Sequence, residues 1–291
     1  MIIDLKDKDI TLNEALFLAQ DGDEIILDDK EYFEQILLDK KNITLIGRNN
    51  SIISFDAYSS KINPKTNNPY GTTGSTTFRI LSDALSFKAY NITFKNSHIK
   101  KTNNGEQAVA FKSETSNTLL VNCKFISYQD TFYIDYGTNN LVYNCEIEGD
   151  VDFIFGSADC VFINTKITSK SNNKTAYFLA PSTYCQNIYG LAFKNCKFYA
   201  YNDFVTILAR RWFPGGAKSP VIPRFNIIDS EFYGNIKFDF INMNNETNKL
   251  GKYSIINSKY NNDNIDDIGS FDLNYPDKIL NYYKDIIEKH I

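Results

Sequence analysis

The sequence predicts an all-β parallel β-helix, a solenoid of short strands with a helix at each end, and three observations carry that expectation. The first is a recurring tetrad that opens with Asn or Asp and closes with an apolar residue, starting at Asn91, Asn122, Asn144, Asn164, Asn195, Asp229 and Asn257. Its intervals of 31, 22, 20, 31, 34 and 28 residues describe a basic coil of 20–22 residues carrying insertions of different size. The second is a constant offset of 22 residues that relates Gln107 to Gln129, Asp130 to Asp152 and Cys123 to Cys145. In a solenoid, residues one coil apart stack at roughly 4.8 Å. The third is a change of pattern at Glu24, after which short β-rich runs are broken by Gly, Asn and Asp. A β-sandwich with Asn-rich turns is the competing architecture, but insertions of variable size are better tolerated where each coil touches only its neighbours.

The elements follow in chain order. Thr11 and Glu14 form a capping box, and Leu12, Ala15, Leu16 and Ala19 recur at helical spacing, which predicts a cap helix over about 11–20. Short strands follow from Glu24. Asn at the equivalent turns can take left-handed backbone angles and hydrogen-bond its counterpart in the next coil. Residues 63–75 and 214–223, rich in Gly, Pro and polar residues, read as the longest loops and as walls of a groove. A C-terminal helix over about 276–289 places Ile279, Leu280, Tyr283, Ile286 and Ile287 on one face, with Pro276 in its first turn. No linker divides the chain, so residues 1–291 read as one domain, expected to be monomeric.

Composition excludes several classes. No apolar run approaches the roughly 18 residues that a membrane span needs, so a soluble protein is expected and no membrane partner. Lys and Arg total 31 against 35 Asp and Glu, without a basic block, which argues against nucleic acid. Cys123, Cys145, Cys160, Cys185 and Cys196 are odd in number and sit in strand-like contexts, so buried thiols are expected, with a Cys123–Cys145 bond left open. With His98 and His290 alone and no closely spaced Cys pair, a structural zinc site is not expected. The first residues lack the pattern of a secretory signal, which predicts a cytoplasmic protein unless a leader has been removed.

The span from Gln107 to Gly156 holds the chemistry. Two carboxylates one coil apart cannot both ionise cheaply, and one tends to keep its proton, a division that suits a nucleophile and a general acid/base. Arg210 is placed to hold one of them as the anion. Gln107 and Gln129 can offer N–H donors to an oxyanion, worth about 3 kcal/mol per donor in other systems. Tyr133, Phe155 and Trp212 supply flat faces suited to sugar rings.

The runs Gln107-Ala-Val-Ala-Phe, Tyr128-Gln-Asp-Thr-Phe-Tyr, Gly149-Asp-Val-Asp-Phe-Ile-Phe-Gly and Leu208-Ala-Arg-Arg-Trp resemble, in order and spacing, the four signatures of the pectin methylesterases. Glu31-Tyr-Phe-Glu and Gly71-Thr-Thr-Gly resemble that family's weaker N-terminal motifs. The resemblance implies a right-handed β-helix and removal of methyl esters from galacturonate in pectin or oligogalacturonides. It implies Asp152 as nucleophile, Asp130 as acid and then base, Gln129 and Gln107 as oxyanion donors, and Arg210 as the residue that orients Asp152. It also implies substrate contacts from Thr72, Tyr133, Val151, Phe155 and Trp212, and neither a metal nor an organic cofactor. The family's Leu-Gly-Arg-Pro-Trp here has Ala209 and Arg211 for Gly and Pro, and Trp212 has no second Trp downstream. Arg211 is expected to face solvent. A glycosidase or lyase acting on polygalacturonate, and a solenoid that only binds carbohydrate, are the alternative functions.

Overall fold

The computed structural model describes residues 1–102, 104–170, 176–201, 204–215, 220–243 and 250–290. Its strands form three long sheets that the chain visits in turn, so that successive coils stack into a parallel β-helix. The first sheet runs from Ile2–Asp4 to Lys252–Ile256, the second from Glu31–Phe33 to Asp263–Asn264, and the third from Ile36–Leu38 to Ile236–Asn242. Pairing within all three is parallel except at the last strand of the second sheet, where Lys259 faces Asn264 in the antiparallel sense.

The 22-residue offset is physical. Lys124 pairs with Glu146 in the second sheet, and Phe132 pairs with Ile154 in the third. At the tetrad corners Asn91, Asn122, Asn144, Asn164, Asn195, Asp229 and Asn257 all have φ between 48° and 57°. Asn144 Nδ2 donates to Asn122 Oδ1 at 2.5 Å and Asn195 Nδ2 to Asn164 Oδ1 at 2.5 Å, so the corners bond from coil to coil. The residue after each corner is interior: Cys123, Cys145 and Cys196 are buried free thiols, as is Cys160, while Cys185 is exposed. Cys123 and Cys145 are neighbours without a disulfide, the Cys123 N–H donating to Cys145 Sγ at 3.3 Å. Phenylalanines fill the interior in columns, Phe94 on Phe125 and Phe111 on Phe132, each pair 5.4 Å apart and nearly parallel.

Helix α1 (Leu12–Leu18) closes the N-terminal end and has both halves of the capping box. Helix α2 (Gly71–Gly74) is one short turn. Helix α3 (Tyr275–Glu288) has Pro276 in its first turn and buries Tyr275, Ile279, Tyr283 and Ile287 on the outer face of the first sheet against Leu119, Leu141 and Val161. Residues 63–75, expected as an open loop, are instead mostly ordered. Ile62 pairs with Pro69 in a small hairpin, turned by left-handed Asn67 (φ 56°), and α2 follows. In the second expected loop, residues 216–219 lie outside the described residues.

Candidate active site

Asp130 and Asp152 occupy the same corner of successive coils, each two residues ahead of a third-sheet strand (Phe132–Ile134 and Ile154–Gly156). Both have left-handed backbone, φ 66° and 50°, which a short polar side chain tolerates better than most. The corners are tied together by the Asp130 N–H donating to the Val151 carbonyl at 3.1 Å and the Asp150 N–H to the Tyr128 carbonyl at 3.0 Å. Glycines permit the close stacking that follows. A Cβ on Gly149 would lie 2.2 Å from Phe153 Cβ, and one on Gly156, at φ 134°, would lie 1.8 Å from the Ile134 carbonyl oxygen.

Arg210 reaches Asp152 from the strand Thr206–Arg211. Its Nε donates to Asp152 Oδ1 at 2.8 Å and its Nη2 donates to Oδ2, a two-pronged pairing that fixes the plane of the carboxylate. The guanidinium rests on the Tyr177 ring, 4.0 Å from its centroid. Asp130 and Asp152 as residues are only 9% and 5% exposed. Burial, and then the charge of Asp152, push the Asp130 carboxyl well above the ordinary carboxylate range. Burial raises Asp152 as well, but Arg210 opposes it through its hydrogen bonds and its charge. Asp152 is therefore the first of the pair to ionise and Asp130 the one that keeps a proton.

The pair opens onto a cavity of about 400 Å³, lined also by Gln107, Gln129, Arg210, Thr72, Tyr133, Phe155 and Trp212. All but one of the residues expected at the site are thus brought together. The exception is Val151, which is absent from the lining and contributes its carbonyl to the Asp130 corner instead. The Ser59 hydroxyl donates to Gln107 Oε1 at 2.5 Å, which leaves the Nε2 protons as the donors available to a ligand. One wall is aromatic: Tyr133 stacks on Phe155 with centroids 4.1 Å apart, and Trp212 meets Phe155 at 5.7 Å and 60°. Arg211, expected to face solvent, is half-buried with its guanidinium 5.4 Å from the ring of Phe240, because the paired strand Ile236–Asn242 brings that ring alongside it.

Sequence reasoning missed several neighbours. Thr73, Ala180 and Met243 also line the cavity. Ala180 pairs with Phe155, which pairs with Tyr133, so one ladder of the third sheet builds the wall, and the small Ala180 leaves the space beside it. Lys112 pairs with Tyr133 on that ladder and places Nζ 4.1 Å from its ring centroid, 2.8 Å from Glu114 and 3.6 Å from Asp135. Aligning the third-sheet strands as a ladder is the signal that finds these residues. Among the described residues no group of three or more His, Cys, Asp or Glu side chains is arranged to hold a metal ion, and no helix is long and apolar enough to cross a membrane.

A family model described as Pectinesterase matches residues 6–213. A probable pectinesterase/pectinesterase inhibitor of Arabidopsis thaliana is 30% identical over 209 residues, 68% of this chain and 37% of that protein. A pectinesterase of Ralstonia solanacearum is 35% identical over 146 residues, 45% of this chain and 37% of that one. The matched segments therefore span well under half the length of these relatives. Among solved structures, the pectin methylesterase from Yersinia enterocolitica superposes with a TM-score of 0.77 at 25% identity, covering 90% of this chain and 94% of the other. That from Erwinia chrysanthemi gives 0.75 at 20% identity, covering 96% of each, a likeness of fold.

Proposed function

This chain belongs to the pectinesterase family, and from that premise we infer that it hydrolyses methyl esters of galacturonate in pectin or its oligomers, releasing methanol. The observation that carries the reading is the asymmetric carboxyl pair: Asp152 forked by Arg210, and Asp130 buried beside it with its ionisation suppressed.

The asymmetry assigns the roles. Ionised Asp152 attacks the ester carbonyl carbon and forms a tetrahedral oxyanion, toward which Gln129 and Gln107 direct their amide donors. Collapse expels the methoxy group as Asp130 gives it a proton, and methanol leaves an acyl-enzyme on Asp152. Asp130, now a carboxylate, takes a proton from water as that water attacks the acyl carbon. Collapse of the second intermediate frees the uronic acid, which loses its proton to solvent as the uronate, and returns Asp152 as the anion, with Asp130 protonated again. Tyr133, Phe155 and Trp212 give the sugar ring a flat apolar wall.

The test is methanol release from methyl-esterified oligogalacturonides of graded length, with Asp152→Ala as control. Release by the wild type and none by the variant is expected. New reducing ends without methanol would point to glycoside hydrolysis, unsaturated ends to a lyase, and binding without any product to a non-catalytic solenoid.

A further inference from the structure

Behind the two site carboxyls lies an ion pair that the mechanism does not use. Lys100 Nζ donates to Asp150 Oδ2 at 2.9 Å, and the two side chains are 2% and 1% exposed. Asp150 is two residues before Asp152, and its N–H is bonded to Tyr128, two residues before Asp130. Its other carboxylate oxygen accepts the Val151 N–H at 2.6 Å. Lys100 comes from the segment that leads to Gln107, held by Glu106, whose carboxylate accepts the N–H groups of Lys101 and Thr102 and faces His98 Nε2 at 2.9 Å. A lysine and an aspartate this deeply buried are costly unless each offsets the other, and removing one partner leaves an uncompensated charge.

Among the described residues, few charges meet here. Asp130, Asp150 and Asp152 bring three carboxyls, and Lys100 and Arg210 bring two cations. Lys170 also faces Asp150, but it is paired with Glu148 at 3.6 Å and lies over the Tyr128 ring. Glu148 is further shared with Lys124 at 3.9 Å. Tyr177 lies under Arg210 as a neutral ring. With every group ionised, the five-membered cluster carries one net negative charge; with one proton on the pair Asp130/Asp152, it is neutral. Burial favours the neutral count.

We propose that Lys100 and Asp150 are positioning residues for the reaction inferred above, a buried pair whose balance keeps one proton on Asp130/Asp152 over the working pH range. The inference rests on the esterase reading for its meaning in catalysis, but the charge count does not. Deleting the anion and deleting the cation should therefore have opposite effects. Asp150→Asn leaves Lys100 in excess, favours both carboxylates ionised, and moves the release of the Asp130 proton to lower pH. Lys100→Met leaves Asp150 in excess and moves it to higher pH. The double variant restores the count and returns toward wild type.

The experiment reads the proton directly, by titrating 13C-labelled aspartate carboxyls by NMR in the folded protein, with the Asp130 signal assigned by its loss in Asp130→Asn. Removing a buried unit charge that acts on Asp130 should shift that titration by about one pH unit or more. Opposite shifts in the single variants, matched by opposite shifts of the alkaline limb of the methanol-release profile, are expected. Shifts in one direction, or lower activity at an unmoved pH midpoint, would overturn the charge-balancing role and leave the pair a packing feature. Should Lys100→Met fail to fold, Asp150→Asn and the double variant still decide the matter, since only charge balance predicts that the second substitution reverses the first. Opposed titrations in a protein that releases no methanol would sink the esterase reading and keep this one.

Discussion

Asp130 and Asp152 each hold a left-handed backbone, φ 66° and 50°, and a carboxyl in a setting that resists its charge. Both features cost stability, so the corner is organised for chemistry at the expense of folding. For Asp130 the sign is fixed. Its folded pKa lies well above the ordinary value of 3.8, so its contribution to stability is fully present below the unfolded pKa and is lost as pH climbs through the folded value. Asp130→Asn keeps the shape and the tolerance of left-handed angles but cannot ionise. Urea unfolding should then find the variant close to wild type at pH 4 and more stable at pH 8, by about 1.4 kcal/mol for each unit by which the Asp130 pKa is raised. Parallel pH dependences in the two proteins would show that Asp130 ionises normally, and the assignment of the acid would fall with it.

At the scale of the coil, the asparagine corner does two things that separate substitutions can tell apart. Asn144 accepts φ 53° and donates to Asn122 at 2.5 Å. Glycine keeps the first property and loses the second; alanine loses both. The left-handed angle costs a Cβ-bearing residue about 1–2 kcal/mol, and an exposed hydrogen bond contributes about 0.5–1.5 kcal/mol net. Chemical denaturation should therefore rank wild type above Asn144→Gly above Asn144→Ala, with the larger step at alanine. Equal losses would mean that the side-chain bond, not the backbone angle, is what selects Asn at this corner. The tetrad was readable in the sequence for this reason: a backbone angle that few residues accept repeats at every coil, and so does the residue. Lys100, Asp150 and Tyr177 were not readable as site neighbours, because their roles depend on which coils face each other across insertions. Arg210 lies 58 residues from Asp152, a separation that no constant period reaches; it was found through its motif. The hairpin and helical turn before the site were missed because a segment rich in Gly, Asn and Thr is polar whether it is ordered or open.

Across the whole molecule, each coil packs chiefly on the coils above and below it, so stability should be close to a sum over coils and their interfaces rather than the property of one cooperative core. The site lies on interior coils, and α3 crosses the outer face there, where Tyr283 Oη donates to the Asn139 carbonyl at 2.7 Å. Those coils have neighbours on both sides and a strap across them, while Ile2–Asp4 and Lys252–Ile256 lie at the two ends of the first sheet. Phe125 is fully buried in the central column, 5.4 Å from Phe94 and 4.9 Å from Phe132; Phe232 is as buried but lies near the C-terminal end, stacked on Phe198 at 4.8 Å. Truncating either to alanine removes similar apolar contact, about 3–5 kcal/mol by analogy with other cores. In a nearest-neighbour stack the consequences differ: Phe125→Ala weakens the coils that carry Asp130 and Asp152, whereas Phe232→Ala frays the C-terminal end and leaves the site coils protected. Hydrogen exchange read by mass spectrometry should show Asn140–Tyr143 losing protection in Phe125→Ala and keeping it in Phe232→Ala, with methanol release following the same order as temperature rises. Equal loss of protection at Asn140–Tyr143 in both variants would mean that the coils unfold as one unit, and that the site draws its rigidity from the full length of the stack.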